Sequence, residues 1–238
     1  MGPADILSVH ALDASYGRAS ILSDVSLRAA RGEVVALLGR NGAGKSTTLK
    51  SVMGLVPAAG GRVVFGGVDI TFWPPHAIAR AGLGYVPEDR RIFTDLTVME
   101  NLEVGRQPSR ADAPSWTPEK LFAIFPNLAE LRDRPGGRMS GGEQQMLTIA
   151  RTLMGNPRAI LLDEPSEGLA PRIVMHMANT IRALKREGLT IILAEQNLRF
   201  ATLVADRAYI IEKGRIRYEG TIADLMADEA IRAQYLSL

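Results

Sequence analysis

The chain has 238 residues, enough for one large α/β domain or a domain with a small insertion. Apolar residues make up 46% of it, and 28 Lys and Arg against 26 Asp and Glu leave a formal charge of +2, so nothing biases it toward nucleic acid or an acidic partner. The absence of cysteine excludes disulfides and thiolate metal sites, and His10, His76 and His176 are too scattered to suggest a metal cluster. No secretory leader opens the sequence. Its longest apolar runs, about five or six residues, fall far short of the ~20 needed to span a bilayer. A soluble protein is expected, with any membrane role exerted through a partner.

Taken in order, Ile6 to Ala14, Ile21 to Ala30 and Val34 to Leu38 read as strands, with turns at Tyr16-Gly17 and Arg31-Gly32. Tyr16 is either a packed surface aromatic or, beside a nucleotide, a platform for adenine, and residue type alone does not separate the two. The third strand runs into Gly39, Arg40, Asn41, Gly42, Ala43, Gly44, Lys45, Ser46 and Thr47, and a helix follows as far as Gly54. Strand, glycine-rich turn and helix in this order make a phosphate-binding P-loop. Glycines let backbone N–H groups form an anion nest, and the helix points its positive end at the same place. Lys45 can then reach the β- and γ-phosphates, while the Ser46 hydroxyl can enter a Mg²⁺ shell.

Pro57 to Gly61 reads as a loop, Arg62 to Phe65 as a short strand and Pro74 to Arg80 as a short helix. Leu83 to Val86 is a buried strand running into the charged loop Pro87 to Arg91. That loop is either a solvated connection or, since ligands bind at strand ends in open α/β sheets, a site that includes Glu88. From Thr94 to about Arg138 the pattern is helical and more polar, with a capping box over Thr97 to Glu100. This stretch reads as an inserted helical subdomain, with Phe93, Leu96, Val98 and Phe122 as its small core or a docking surface.

Ser140-Gly141-Gly142 opens a strongly periodic helix, with Glu143, Gln144 and Gln145 in its first turn. Ordinary capping by Ser140 explains this, and so does a second anion-binding helix start. Ala159 to Leu162 is a buried strand that ends in Asp163-Glu164. Two carboxylates at that point are costly to bury without a purpose. A Mg²⁺ ion beside a nucleotide supplies one, with Asp163 in the ion's shell and Glu164 orienting or deprotonating water. A helix from Pro171 to Gly188 and a strand from Leu189 to Ala194 ending at Glu195-Gln196 follow. Strands over Ala208 to Ile211 and Arg215 to Tyr218 and two short helices close the chain.

Together, GRNGAGKST, MSGGEQQ (Met139 to Gln145) and ILLDEP (Ile160 to Pro165) resemble the P-loop, signature and Walker B segments of an ABC-transporter ATPase subunit. The resemblance runs from Tyr16, at the adenine-stacking position, to the tail. It implies a P-loop NTPase core with a mixed sheet flanked by helices, an N-terminal antiparallel β subdomain and an inserted helical subdomain. The core would comprise 1–93 and 156–238, and the helical part about 94–155. ATP and Mg²⁺ are the implied cofactors. Residues 39–47 with Tyr16 would bind ATP, and Ser46, Asp163 and Glu88 would hold Mg²⁺. Lys45, Glu164 and Gln196 would act in hydrolysis. Ser140, Gly141, Gly142 and Glu143 would contact the ATP bound by a second ATPase subunit, identical or different.

Three positions depart from the family pattern. Glu88 stands where glutamine is usual, Gln196 where histidine is usual, and Ala170 where a loop commonly ends in aspartate. With VPEDRRIF, LTVMENL and ILAEQN they make the chain similar to the F-type ATP-binding subunit of bacterial and archaeal branched-chain amino-acid importers. That similarity implies two permease subunits, an external solute-binding protein acting indirectly, no nucleic acid, and a peripheral place on the cytoplasmic face of the membrane. Import or export of another cargo (urea, polar amino acids or lipid) is the alternative. A soluble ABC ATPase outside transport is a more distant one, since the chain has no room for tandem ATPase domains or long coiled-coil arms.

Overall fold

Three runs without a polar side, Val34–Leu38, Ala159–Asp163 and Thr190–Glu195, are buried at every residue. Strands covered on both faces read this way, whereas half-exposed strands alternate. The computed structural model describes residues 5–236. In chain order, β1 (Asp5–Tyr16) and β2 (Ala19–Ala30) form a long hairpin, and β3 (Val34–Leu38) leads into α1 (Lys45–Val52). Next come β4 (Ala58–Phe65), β5 (Val68–Asp69), α2 (Pro75–Arg80) and β6 (Leu83–Val86). The helices α3 (Val98–Gly105), α4 (Pro118–Ile124), α5 (Pro126–Glu130) and α6 (Gly141–Leu153) precede β7 (Ala159–Asp163). The chain continues through α7 (Pro171–Arg186), β8 (Thr190–Glu195), α8 (Leu198–Val204), β9 (Arg207–Glu212), β10 (Arg215–Thr221), α9 (Ile222–Ala227) and α10 (Glu229–Tyr235).

Two sheets result. An antiparallel one has the order β2-β1-β4-β5, and a mixed one has the order β10-β9-β3-β8-β7-β6. In the mixed sheet only β10 runs against its neighbour. This is the expected α/β architecture with a separate antiparallel sheet. Side chains of β3 alternate between two cores: Val34, Ala36 and Leu38 face the helical side, while Val35 and Leu37 face α1 and the antiparallel sheet.

The order has one consequence for chemistry. β8 lies between β3 and β7, in register Leu38↔Glu195 and Asp163↔Ala194. Parallel strands end at the same edge, so the loops after all three meet there.

Some local expectations shift. β4 begins at Ala58, because Ala58 and Gly60 pair with β1 through an irregular register where a loop over Pro57 to Gly61 was expected. The helices α5 and α8 lie outside the predicted elements, and α8 is capped by the Asn197 side chain. Val98 and Leu102 belong to the same buried cluster as the mixed sheet, while Phe93 is 47% exposed. The helical stretch therefore shares the sheet's core instead of building its own.

Asn101, fully buried on α3, holds the approach to that helix. Its Oδ1 accepts from Phe93 N–H at 3.0 Å, and its Nδ2 donates to the carbonyls of Phe93, Leu96 and Thr97 at 2.9 to 3.1 Å. Asn101→Ala would orphan several buried backbone groups at once. We expect it to lower unfolding free energy by roughly 2–3 kcal/mol, measured as a reduced urea midpoint at unchanged slope.

Candidate active site

The P-loop fits between β3, β8 and β9 because its first residue has no side chain. A Cβ on Gly39 would lie 2.5 Å from the Ile211 carbonyl oxygen. Gly44 takes φ +114, beyond the reach of other residues, and is the N-cap of α1. No side chain caps α1, so its first N–H groups keep their capacity for an anion. Arg40, Asn41 and Gly42 are exposed at the turn, while Ala43, Lys45 and Thr47 are buried.

Lys45 is only 3% exposed, and its ammonium is fully occupied. It donates to the carbonyls of Gly39 at 2.9 Å and Arg40 at 3.1 Å, and pairs with Glu164 Oε1 at 3.0 Å. A buried ammonium and a buried carboxylate neutralise each other here, since either alone would be costly. Glu164 sits at φ +48, a left-handed conformation unusual for glutamate, and its N–H donates to the Ala194 carbonyl at 3.0 Å. Strain of that kind persists where the surroundings impose it, often at functional sites.

Asp163 is held from two sides. The Ser46 hydroxyl donates to its Oδ1 at 2.8 Å and the Tyr85 hydroxyl to its Oδ2 at 3.0 Å. Burial pushes the Asp163 carboxyl up, against the pull of these two hydroxyls, and burial also raises the Tyr85 phenol. Among the described residues no group of three acids or histidines forms a metal cage. A hydroxyl beside a single carboxylate nevertheless fits Mg²⁺, which takes one or two carboxylates and completes its shell with phosphate and water oxygens. The donor set and the uncapped helix start both fit a magnesium nucleotide.

The other predicted residues are less closely assembled. Gln196 is exposed and lines an open cleft of about 800 Å³ together with Glu164, Glu167 and Leu169. Glu88 is exposed too, and its charge helps to raise the Glu167 carboxyl, whose main cause is a hydrogen bond shared with Glu164. Tyr16 stands at the tip of the first hairpin with half of its surface covered and half exposed (50%). Ser140 and Glu143 form a reciprocal capping box on α6, with Ser140 N–H donating to Glu143 at 2.7 Å. Gly141 and Gly142 follow with Arg90 and Ile173 against them, where a Cβ would come within 2.8 and 2.9 Å. No hydrogen bond among the described residues joins Ser140–Glu143 to the P-loop. Arg90 and Arg91, both at positive φ, offer their carbonyls to Thr148 and Arg151 of α6.

Three residues escape a reading of the sequence: Tyr85, Glu167 and Glu195. Tyr85 carries no signal in a short apolar strand. Glu195 does, as a lone acid at the end of an otherwise apolar run. It is 1% exposed, and burial lifts its carboxyl to about 7.

The description "ABC transporter" fits a family model matching residues 22–167. The chain is 43% identical over 231 residues to the high-affinity branched-chain amino acid transport ATP-binding protein BraG of Pseudomonas aeruginosa, covering 97% of this chain and 99% of that protein. It is 40% identical over 233 residues to the lipopolysaccharide export system ATP-binding protein LptB of Haemophilus influenzae, with 97% of each covered. Its fold is similar to the crystal structure of a nucleotide-free ATP-binding cassette from an ABC transporter. The TM-score is 0.81 at 29% identity, over 95% of this chain and 96% of that one.

The raised Glu195 carboxyl makes stability depend on pH. Its folded value of about 7 lies above the ordinary 4.5, so folding takes up a proton between those values. Stability is full at the acid end and falls by roughly 3 kcal/mol as pH rises through that window. Glu195→Gln should flatten this slope. Melting temperatures from pH 5 to 8 that decline equally in both proteins would rule the linkage out.

Proposed function

This chain belongs to the ABC transporter family of ATP-binding subunits, whose members hydrolyse ATP to power transport, and we propose that it energises the uptake of branched-chain amino acids. The observation that carries the ATPase mechanism is the Lys45–Glu164 pair next to the Ser46–Asp163 pair. Lys45 exchanges Glu164 and the two carbonyls for the β- and γ-phosphates when ATP enters, which releases the Glu164 carboxylate. Freed, Glu164 accepts a proton from the attacking water at a carboxylate oxygen. Ser46 and Asp163 would hold Mg²⁺, with Glu88 as a further oxygen donor, and the ion would neutralise phosphate charge. Gln196 donates its amide N–H to the γ-phosphate, and having no titration near neutrality it gives no pH step of its own. Tyr16 stacks on adenine.

The α6 start, Ser140 to Glu143, completes the site on a second ATPase subunit, so each subunit supplies half of two sites. Residues of about 94–155 act as the helical arm that carries this half. A second cleft of about 640 Å³, lined by Leu55, Pro75, His76, Phe93 and Val104, suits a segment of a membrane permease. Leu55, Phe93 and Val104 are each about half exposed there (46, 47 and 54%). No helix among the described residues is long and apolar enough to cross a membrane, which agrees with a peripheral place on two permeases at the cytoplasmic face. An external binding protein would deliver the solute to them.

Cargo is supported by the similarity to BraG together with Glu88 and Gln196, and opposed by the similarity to LptB. Deleting the gene from its host and measuring leucine uptake decides between them. Loss of uptake, restored by the gene, is expected. Normal uptake with arrested lipopolysaccharide export would assign the chain to lipid transport. For the mechanism, Glu164→Gln should lower turnover by about 100-fold or more while ATP still binds and a closed dimer accumulates in gel filtration. Normal turnover would remove the general-base role.

A further inference from the structure

The reaction above leaves one buried acidic residue among the described residues, Glu195, without a part. We propose that Glu195 is a positioning residue, whose side chain locks the loops carrying Glu164 and Gln196 to each other beside the P-loop during hydrolysis. The proposal rests on the roles assigned to Glu164 and Gln196.

Glu195 ends β8, the strand between the P-loop strand and the Asp163 strand. Its carbonyl accepts from Gly39 N–H at 3.3 Å, at the entrance of the P-loop. One side-chain oxygen accepts from Ser166 N–H at 3.0 Å, two residues beyond Glu164. The other accepts from Asn197 N–H at 3.2 Å, immediately after Gln196. One residue thus touches the three loops that meet at this edge of the sheet. Neither side-chain bond belongs to the sheet ladder, and among the described residues the buried Ser166 N–H has no other acceptor.

A plain structural anchor would not need a carboxyl in this place. The charges around it, Glu164 and Glu167, are of like sign, and no salt bridge among the described residues includes Glu195, while the Lys45 ammonium is paired with Glu164. An acid kept in such surroundings is costly unless the bonds it makes are needed. What they fix is the separation between a proton acceptor on one loop and an amide donor on the next. Misplacement of such a pair slows the chemical step without weakening the grip of the P-loop on phosphates.

The test is a double-mutant cycle on the full chain, with kcat and KM for MgATP measured for wild type, Glu195→Ala, Glu195→Gln, Gln196→Ala and the double variant Glu195→Ala/Gln196→Ala. Glu195→Ala should lower kcat about tenfold or more while KM stays within about threefold. Glu195→Gln, which keeps an acceptor for Ser166, should fall between it and wild type. The double variant should lose little more than the worse single one, since both act through the same loop. Wild-type kcat in Glu195→Ala, a loss confined to KM, or fully multiplicative losses would each overturn the proposal. If Glu195→Ala does not fold, Glu195→Gln decides: a lowered kcat at unchanged KM supports the role and an unchanged kcat removes it. A slow Glu195→Ala beside a wild-type Gln196→Ala would instead overturn the part given to Gln196, and would support Glu195 acting through the Ser166 loop.

Discussion

Lys45, Asp163, Glu164 and Glu195 are all buried at one edge of a sheet whose strands β3, β7 and β8 are, apart from Thr190, otherwise apolar. Most of the structure around them follows from the need to keep that concentration of charge tolerable. The Lys45 ammonium neutralises Glu164, two hydroxyls satisfy Asp163, and two backbone N–H groups satisfy Glu195. Replacing any partner would leave a charge in a medium that solvates it poorly. The parallel sheet supplies the frame, because strands that run the same way deliver their loops to the same edge.

In the proposed mechanism this self-neutralised arrangement is also what ligand binding would act on. The ion pair between Lys45 and Glu164 is made of the same groups that phosphate and water would engage, so ligand binding has a specific contact to exchange. A population shift needs such differential contacts between states. The backbone is left-handed at Glu164 and, in the loop after β6, at Arg90 and Arg91. Hydroxyl and guanidinium contacts from Thr148 and Arg151 tie the Arg90–Arg91 loop to the helix whose start is capped by Ser140.

The capping reading of the Ser140 start is the one the structure shows, and it does not block the proposed anion-binding role. Its hydroxyl and Glu143 do form a capping box, yet Ser140 remains exposed and Gly141 and Gly142 bring the backbone close to its neighbours. Tyr16, Glu88 and Gln196 are exposed as well, and Gln196 lines the cleft that also includes Glu164 and Glu195. A buried group of charges beside exposed residues suits the proposed active centre shared between two subunits.

The sequence by itself determined the P-loop, the two carboxylates after an apolar strand, the strand-to-helix order and the cap of α6. Each of these is written in neighbouring residues, where turn chemistry and periodicity act over short distances. Tertiary structure alone decided which strand stands between which, and hence that Glu195 reaches Ser166 and Tyr85 reaches Asp163 across 29 and 78 positions. It also merged the helical stretch into the sheet's core, and it turned Ala58 to Gly61 from a loop into the start of a strand by pairing it with β1. Sheet order and cross-strand partners depend on which distant segments pack together, and no local pattern of side chains encodes that choice.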